Sequence, residues 1–316
     1  MRKLLSICFR PAAFGGLFMK KTAILLAAFG VSLPEALGGI DNVVRRVREA
    51  FPCPVAVCFT SNIVRRIWRE RLADGQWLQS NPHTPDYLRR LRGILGAIAD
   101  LQENGYKTLI VQPLHIYAGE EYHDLSGYVS ALAGIRTIKS KWRPFEKIVL
   151  SRPALGAPGV EHPYLDDIQR AAEALEDDVR LARQKDAALV YVGHGNHVFS
   201  TGVYQEMQQM LGKRHPDMIV EIGAVEGLFD AAYVAQRLRA RGAKRVLLKP
   251  FMVVAGVHAR DDMAGDDADS WRSILSKAGF TVECRLEGLG ESDAWAGIYL
   301  SNIMECAARA GIALPA

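Results

Sequence analysis

The chain has 316 residues, enough for two compact domains or one large domain with a sizeable core. Hydrophobic residues make up 49% and charged residues 23%, which excludes disordered, collagen-like and coiled-coil proteins. The net charge of +4 arises near the amino terminus, because the first 21 residues contain basic residues but no acidic ones. The rest of the chain is nearly neutral, which argues against a nucleic-acid-binding protein.

The amino-terminal segment has two interpretations. Residues 1–18 show no clear periodicity, so we expect a disordered extension, with Met19 as a plausible start. Residues 19–32 combine two lysines with an apolar run, which is typical of either a signal peptide or a buried strand. We favour the strand, because no small-x-small cleavage site follows and the segment has a counterpart later in the chain. No apolar run is long enough to span a membrane, so we expect no membrane partner.

The cysteines indicate the compartment. They are odd in number, widely spaced and without a CxxC motif: Cys8, Cys53, Cys58, Cys284 and Cys306. This pattern fits neither a disulfide framework nor a zinc ribbon. We therefore expect a cytoplasmic protein, with the periplasm as the alternative if the amino-terminal segment is a signal peptide.

Short apolar runs alternate with amphipathic stretches along the chain, which predicts an α/β fold with parallel sheets flanked by helices. The predicted strands are 22–29, 54–60, 107–114, 146–150, 188–193, 218–224, 244–251 and 279–285. Helical patterns include 34–51, 85–104 and 228–241.

A segment rich in Pro and Gly at 151–159 marks a boundary near mid-chain. We predict two similar domains, 19–152 and 153–316, with a central cleft between them. The last helix is able to pack back on the first domain.

A weak internal repeat supports two similar halves. Residues 107–119 (KTLIVQPLHIYAG) align with residues 244–256 (KRVLLKPFMVVAG), and 28–31 align with 193–196. The first half is longer, and we expect the additional residues between Trp68 and Pro85.

Candidate ligands follow three predicted strands of the second half. They are His194, Glu226 and His258, and the matching first-half positions are Phe29, Ser61 and Glu121. Ligands bind beyond the carboxyl ends of strands in open α/β sheets, so these side chains should converge. Two imidazoles and a carboxylate form a common site for a divalent metal, with positions left open for substrate.

Several of these positions have alternatives. Glu226 could cap the following helix instead, and His197 is the fallback ligand for His194. Glu120 competes with Glu121 as the functional acid. His115, inside an apolar run, is more typical of a buried core histidine.

Two charged clusters lie near these positions. An acidic run at 261–269 complements a helix dipole, and beside His258 it would also attract cations and support imidazole N–H groups. Arg65, Arg66 and Arg69 follow Ser61 and form either a solvated helix face or a clamp for substrate carboxylates.

The motifs GxGxxG, GxxxxGK[ST], GxSxG and HExxH are absent from the expected places, so dinucleotide, P-loop, hydrolase and zincin chemistry lack support.

The sequence resembles one known family. The segments that carry the likeness are FGVS at 29–32, TSNIVRR at 60–66, LHI at 114–116, GEEY at 119–122, GHG at 193–195, GAVE at 223–226 and VAGVHARDDMA at 254–264. Together they look like the anaerobic sirohydrochlorin cobaltochelatases. The likeness runs from about Met19 to the carboxyl end, and the block around His258 is its most specific part.

The resemblance implies a two-domain, ferrochelatase-like fold that inserts Co²⁺ into sirohydrochlorin without ATP, in anaerobic cobalamin synthesis. It implies that His194 and His258 hold the metal, with Glu226 as a further ligand, and that His194, Glu121 and Glu226 take part in catalysis. We expect substrate contacts at four positions: Phe29, Ser61, Arg65 and Arg66.

The expected partners are therefore sirohydrochlorin and divalent cobalt, with a homo-oligomer possible. Some exported relatives bind haem and form tetramers, but haem is not predicted here, and we expect no cofactor beyond the substrate metal. A chelatase for Fe²⁺ or Ni²⁺ is the nearest alternative, because the ligand set hardly discriminates among these ions. A non-catalytic metal or tetrapyrrole carrier on the same cleft is the other.

Overall fold

The computed structural model describes residues 22–158, 163–199 and 201–314. The extension predicted at residues 1–18 lies outside these ranges. The strands are β1 (Thr22–Ala28), β2 (Val55–Phe59), β3 (Thr108–Pro113), β4 (Lys147–Leu150), β5 (Ala188–Gly195), β6 (Val220–Glu226), β7 (Arg245–Pro250) and β8 (Thr281–Cys284). The α-helices are α1 (Gly38–Ala50), α2 (Asn62–Ala73), α3 (Gly75–Ser80), α4 (Ile94–Glu103), α5 (Glu120–Ala133), α6 (Tyr164–Ala174), α7 (Glu176–Gln184), α8 (Gly202–Arg214), α9 (Ala231–Ala240), α10 (Trp271–Lys277) and α11 (Asp293–Arg309).

The strands form two parallel four-stranded sheets with the same strand order. The first sheet runs β2-β1-β3-β4 and the second runs β6-β5-β7-β8. Helices flank both sheets, so the predicted α/β class with two similar parallel sheets is confirmed. The central strands β1 and β5 are nearly continuous apolar runs because parallel sheets are covered on both faces. The predicted boundary after residue 152 falls in the connection from β4 to α6 and stays a prediction.

The predicted helix at 85–104 is broken into two pieces. A 3₁₀ turn spans Asp86–Arg90, and α4 begins only at Ile94. Between them Arg92 forms a parallel bridge with Cys58, and its carbonyl accepts a hydrogen bond of 3.2 Å from the Phe59 N–H. The free edge of β2 thus draws this segment into extended backbone, which overrides its helical periodicity.

The additional length of the first half lies close to where the sequence placed it. In the second half, α9 alone is the α-helix that joins β6 to β7. In the first half, α2, α3, the 3₁₀ turn and α4 lie between β2 and β3. The segment from α3 to the 3₁₀ turn therefore has no counterpart in the second half.

The last helix lies between the two halves. α11 packs against α1, β3 and α6. The Asn302 amide donates to the carbonyl oxygens of Arg152 and Pro153, both at 3.2 Å, and the buried Arg152 guanidinium lies 2.6 Å from the Asp167 carboxylate. These contacts hold the carboxyl-terminal helix against the connection between the sheets. Within the described ranges, no helix is long and apolar enough to cross a membrane.

Candidate active site

A cleft of about 600 Å³ opens at the carboxyl ends of the strands, where residues of both halves meet. Parallel sheets direct the ends of successive strands toward one edge, and the loops that follow them form the walls. Six of the predicted site residues line this cleft: Phe29, Ser61, Glu121, His194, Glu226 and His258. Sequence reasoning therefore located the cleft correctly from the strand ends alone.

His194 lies near the end of β5 between Gly193 and Gly195. Neighbouring atoms leave no room for a side chain at either glycine. A Cβ on Gly193 would lie 2.6 Å from the Tyr204 ring. Gly195 has a φ of +83°, and a Cβ there would come within 1.8 Å of the Glu226 carbonyl oxygen. The His194 Nδ1 lies 3.1 Å from the Gly195 carbonyl oxygen. Since a carbonyl only accepts, Nδ1 carries a proton, and in the neutral imidazole Nε2 is the atom that carries the lone pair.

His258 lies just before a turn of π-helix, Ala259–Met263. Such turns occur frequently at functional sites. The His258 Nδ1 lies 2.6 Å from the Asp262 carboxylate, one turn further along. The carboxylate orients the ring and accepts from Nδ1–H, so in the neutral imidazole Nε2 is the atom that carries the lone pair.

The two imidazoles meet in the cleft. The ring centroids of His194 and His258 are 4.6 Å apart and the rings are perpendicular, at 88°. Both rings are partly exposed. Throughout the described part of the chain, no three His, Cys, Asp or Glu side chains converge closely enough to form a metal cluster. The structure thus brings together the two predicted histidines, and the role of Glu226 as a third ligand stays a prediction.

Glu226 ends β6 and faces the cleft rather than capping the next helix. Asp230 caps α9 instead, with its carboxylate accepting from the Tyr233 N–H at 2.8 Å. The capping alternative for Glu226 is therefore wrong. Its carboxylate lies 3.7 Å from Nε2 of His197, whose side chain is 73% exposed. The fallback histidine thus lies beside Glu226 rather than in the imidazole pair.

Glu121 lies in the first turn of α5 and points toward the same space. The surrounding cleft walls desolvate its carboxylate and raise its pKa, an effect that the nearby His194 opposes. Tyr117 lies close by, and its burial together with the carboxylates of Glu121 and Glu226 raises the pKa of its hydroxyl to about 12. Acidic groups therefore crowd the wall that faces His194.

Two aromatic residues of the site were missed by the sequence reasoning. Tyr117 contacts Tyr204 edge to face, with 5.3 Å between ring centroids, and both line the cleft. Tyr204 is buried and supports the backbone at Gly193, beside His194. Tyr117 lies within the repeated segment and could have been found from its place directly after a strand end. Tyr204 gives no comparable signal, because it lies within α8.

The predicted arginine clamp is not formed at the cleft. The Arg65 guanidinium donates to the carbonyl oxygens of Phe59 and Thr60, the latter at 2.7 Å, and also contacts the Asn62 side chain. Arg66 is exposed and lies 4.0 Å from Glu70 on its own helix. Neither arginine lines the cleft. Arg65 instead satisfies carbonyls at the end of β2, so these positions give no support to a substrate contact.

The remaining substrate candidates of the first half do reach the cleft. Phe29 is 47% exposed there. Ser61 caps α2, with its hydroxyl accepting from the Val64 N–H at 3.3 Å. Their contact with substrate stays a prediction.

His115 is a buried histidine, as the sequence indicated. It is 8% exposed at the base of the cleft, and neither ring nitrogen has a hydrogen-bond partner within the described structure. Burial lowers its pKa to about 4. His115 is therefore neutral at physiological pH.

Comparison with known proteins gives consistent results. The family model described as cobalt chelatase (CbiK) matches residues 22–308. A sirohydrochlorin cobaltochelatase, CbiKC, of Nitratidesulfovibrio vulgaris is 31% identical over 286 residues, 90% of each chain. A sirohydrochlorin cobaltochelatase of Salmonella typhimurium is 30% identical over 288 residues, covering 90% of this chain and 95% of the relative.

The fold is also shared with solved structures. The sirohydrochlorin chelatase SirB of Bacillus subtilis subspecies spizizenii, in complex with cobalt, aligns with a TM-score of 0.57 at 12% identity over 92% of this chain and 96% of that chain. At this identity the likeness concerns the fold alone. The family match spans nearly all of the described chain. The chain therefore belongs to the cobalt chelatase (CbiK) family of metal chelatases.

Proposed function

We propose that this protein inserts Co²⁺ into sirohydrochlorin, with release of two protons and without ATP, as a step of anaerobic cobalamin synthesis. The observation that carries the proposal is the pair of imidazoles in the cleft, His194 and His258, each of which uses Nδ1 for a local contact and so leaves Nε2 as the ligand atom of the neutral ring. The activity named for the two relatives at about 30% identity supports the choice of metal and ring.

The histidine pair suits a metal that must be passed on. Neutral imidazole is a good ligand for first-row divalent ions, and two such ligands leave most of the coordination sphere to water and substrate. A closed thiolate site would retain the ion instead. The Asp262 carboxylate fixes the ring of His258, so the ion is held in one place while the ring nitrogens of the macrocycle replace its water.

The acidic wall suits the removal of protons from the macrocycle. Insertion requires two pyrrole N–H groups to lose their protons, and a group with a matched pKa accelerates such a transfer. The raised pKa of Glu121 makes its carboxylate a better proton acceptor than an ordinary surface glutamate. In this proposal Glu121 and Glu226, which both line the cleft, accept the protons, and His194 aids the transfer.

The cleft walls suit a large flat ring. Exposed apolar side chains from both halves line the opening, including Phe29, Ile63, Val198 and Val257. Apolar surface around a polar centre is typical of a ligand-binding groove. Holding ring and metal together in this groove supplies much of the rate by proximity.

The reaction needs no resident cofactor, and the free thiols of Cys53, Cys58, Cys284 and Cys306 favour the reducing cytoplasm as its location.

One assay tests the proposal. The full chain is mixed with sirohydrochlorin and Co²⁺, and the absorbance of the metallated ring is followed at enzyme concentrations far below that of substrate. Many turnovers per chain support a chelatase, whereas an amplitude equal to the protein concentration would indicate a carrier. Parallel reactions with Fe²⁺ and Ni²⁺ measure the preference, and faster insertion of either would contradict cobalt as the physiological metal.

A further inference from the structure

A second cavity lies apart from the cleft and shares none of its lining residues. Its volume is about 540 Å³, close to that of the cleft. One wall is α2 and the other is the segment 88–92, which consists of the end of the 3₁₀ turn and the two residues that follow it. The cavity therefore occupies the outer edge of the first sheet, where the arginine cluster of α2 continues away from the cleft.

The cavity combines an apolar floor with an arginine rim. Trp68, Leu88 and Leu91 are buried beneath it. Leu72 and Ala73 also line it, and the charged lining consists of four arginines and a single acidic residue: Arg69, Arg89, Arg90, Arg92 and Asp100. Arg92 pairs with Asp100 at 3.1 Å, but both side chains are more than half exposed. An ion pair so exposed is worth little, so an incoming anion can displace it.

Two of the arginines that line the cavity, Arg69 and Arg89, have no carboxylate partner among the described residues. Arg69 donates through Nε to the Arg65 carbonyl oxygen at 3.3 Å. This acceptor is uncharged, so it does not neutralise the positive charge of Arg69. Among the described residues, no carboxylate lies within ion-pair distance of Arg69 or Arg89. Like charges held around one hollow repel each other, and this repulsion is relieved when an anion enters.

The fold does not require this arrangement. The 3₁₀ turn and the Arg92 segment belong to the part of the first half that has no counterpart in the second. The second half joins the equivalent strands through α9 without such a cavity wall. Arg89 and Arg90 are thus carried by an addition to the repeated architecture, and they face Arg69 on α2.

We propose that this cavity binds a small ligand with two or more oxyanion groups, either carboxylates or phosphates, and an apolar body. The guanidinium group presents a planar fork of N–H donors that matches both kinds of oxyanion. Arg69 lies on one wall and Arg89 on the other, so a dianion bridges the walls while its apolar part covers the accessible side chains of Leu72 and Ala73. The site is separate from the chelation cleft and does not depend on the proposed function.

Isothermal titration calorimetry on the full chain at low ionic strength tests the site. The probes are pyrophosphate, citrate and acetate at matched ionic strength. We expect pyrophosphate, citrate or both to bind, and acetate to bind far more weakly. The variant Arg69→Gln/Arg89→Gln should weaken that binding by roughly tenfold or more, since hydrogen bonds to charged groups are lost on both walls. The control Arg239→Gln/Arg245→Gln removes the same charge from exposed positions of the second half and should leave binding within about twofold.

Each outcome has a stated consequence. Binding of pyrophosphate alone assigns the site to phosphates, and binding of citrate alone assigns it to carboxylates. Equal binding of acetate, no binding of either polyanion, or equal weakening in the control variant would overturn the proposal. Unfolding curves confirm that each variant is folded, and Arg69→Gln alone provides a milder change. Because calorimetry needs no sirohydrochlorin, failure of the chelation assay leaves this result unaffected.

Discussion

His194 and His258 contact each other edge to face, with ring centroids 4.6 Å apart, although one ends a central strand and the other begins a π-helical turn. Each ring uses Nδ1 for a local hydrogen bond, to Gly195 in one case and Asp262 in the other. The two Nε2 atoms are therefore the available ligand atoms. The protein fixes both tautomers before any metal arrives.

The first prediction concerns this pair. His194→Ala and His258→Ala should each lower the rate of cobalt insertion by at least about 100-fold, because in the proposed function each removes a metal ligand rather than a supporting group. Both rings are partly exposed, so the unfolding free energy should change by only about 0.5 kcal/mol. Insertion rates and urea unfolding curves measure the two effects. His197→Ala is the matched control and should stay active, and an active His194→Ala or His258→Ala variant would remove that residue from the site.

The second prediction concerns the support of His258. Asp262→Ala should weaken cobalt binding by about 10–100-fold, and Asp262→Asn should weaken it less, since the amide oxygen still accepts from Nδ1 but carries no charge. Cobalt titration followed by visible absorbance measures the affinity. The neighbour Asp261 pairs with Arg260 at 2.6 Å, so Asp261→Ala is the control. Equal losses in the Asp261 and Asp262 variants would indicate a general loss of negative charge instead.

Much of the fold and part of the site could be predicted because they depend on local pattern. Each predicted strand has its counterpart in the structure, since apolar runs between turn residues have few alternatives. The histidine pair followed from the rule that strand ends converge. His194 carried the further signal of its flanking glycines, which the structure explains by close backbone approach.

The failures have a common physical cause, which is competition from hydrogen-bonding and packing partners that lie outside the segment's own periodic pattern. Arg65 was expected at the substrate, but unsatisfied carbonyls at the end of β2 attract its guanidinium. The helix at 85–104 was expected to be continuous, but the open edge of the sheet binds Arg92. Tyr204 was missed because its role depends on the glycine it supports. None of these partners can be identified from the hydrophobic periodicity of the sequence.

The third prediction separates two acids that lie four residues apart. Glu226 faces the cleft, so Glu226→Gln should lower the insertion rate with little effect on stability. Asp230 caps α9, so Asp230→Ala should lower the unfolding free energy by about 1 kcal/mol with activity retained. Rates and unfolding curves for both variants give the comparison. A loss of stability in Glu226→Gln without loss of rate would contradict the assignment.

The fourth prediction concerns acid stability and His115. Burial lowers its pKa to about 4 in the folded protein, against about 6.5 in an unfolded chain. Between these values the unfolded chain binds more protons, so the unfolding free energy falls as the pH falls from about 6.5 toward 4, by up to about 1.4 kcal/mol per pH unit. The full stability is present above pH 6.5.

Urea unfolding of the wild type and His115→Leu from pH 7 to pH 4.5 measures this dependence, and the variant should show a shallower slope. His83 is exposed, so His83→Leu should keep the wild-type slope. Parallel curves for all three proteins would show that His115 becomes charged without cost, for example through solvent entering from the base of the cleft.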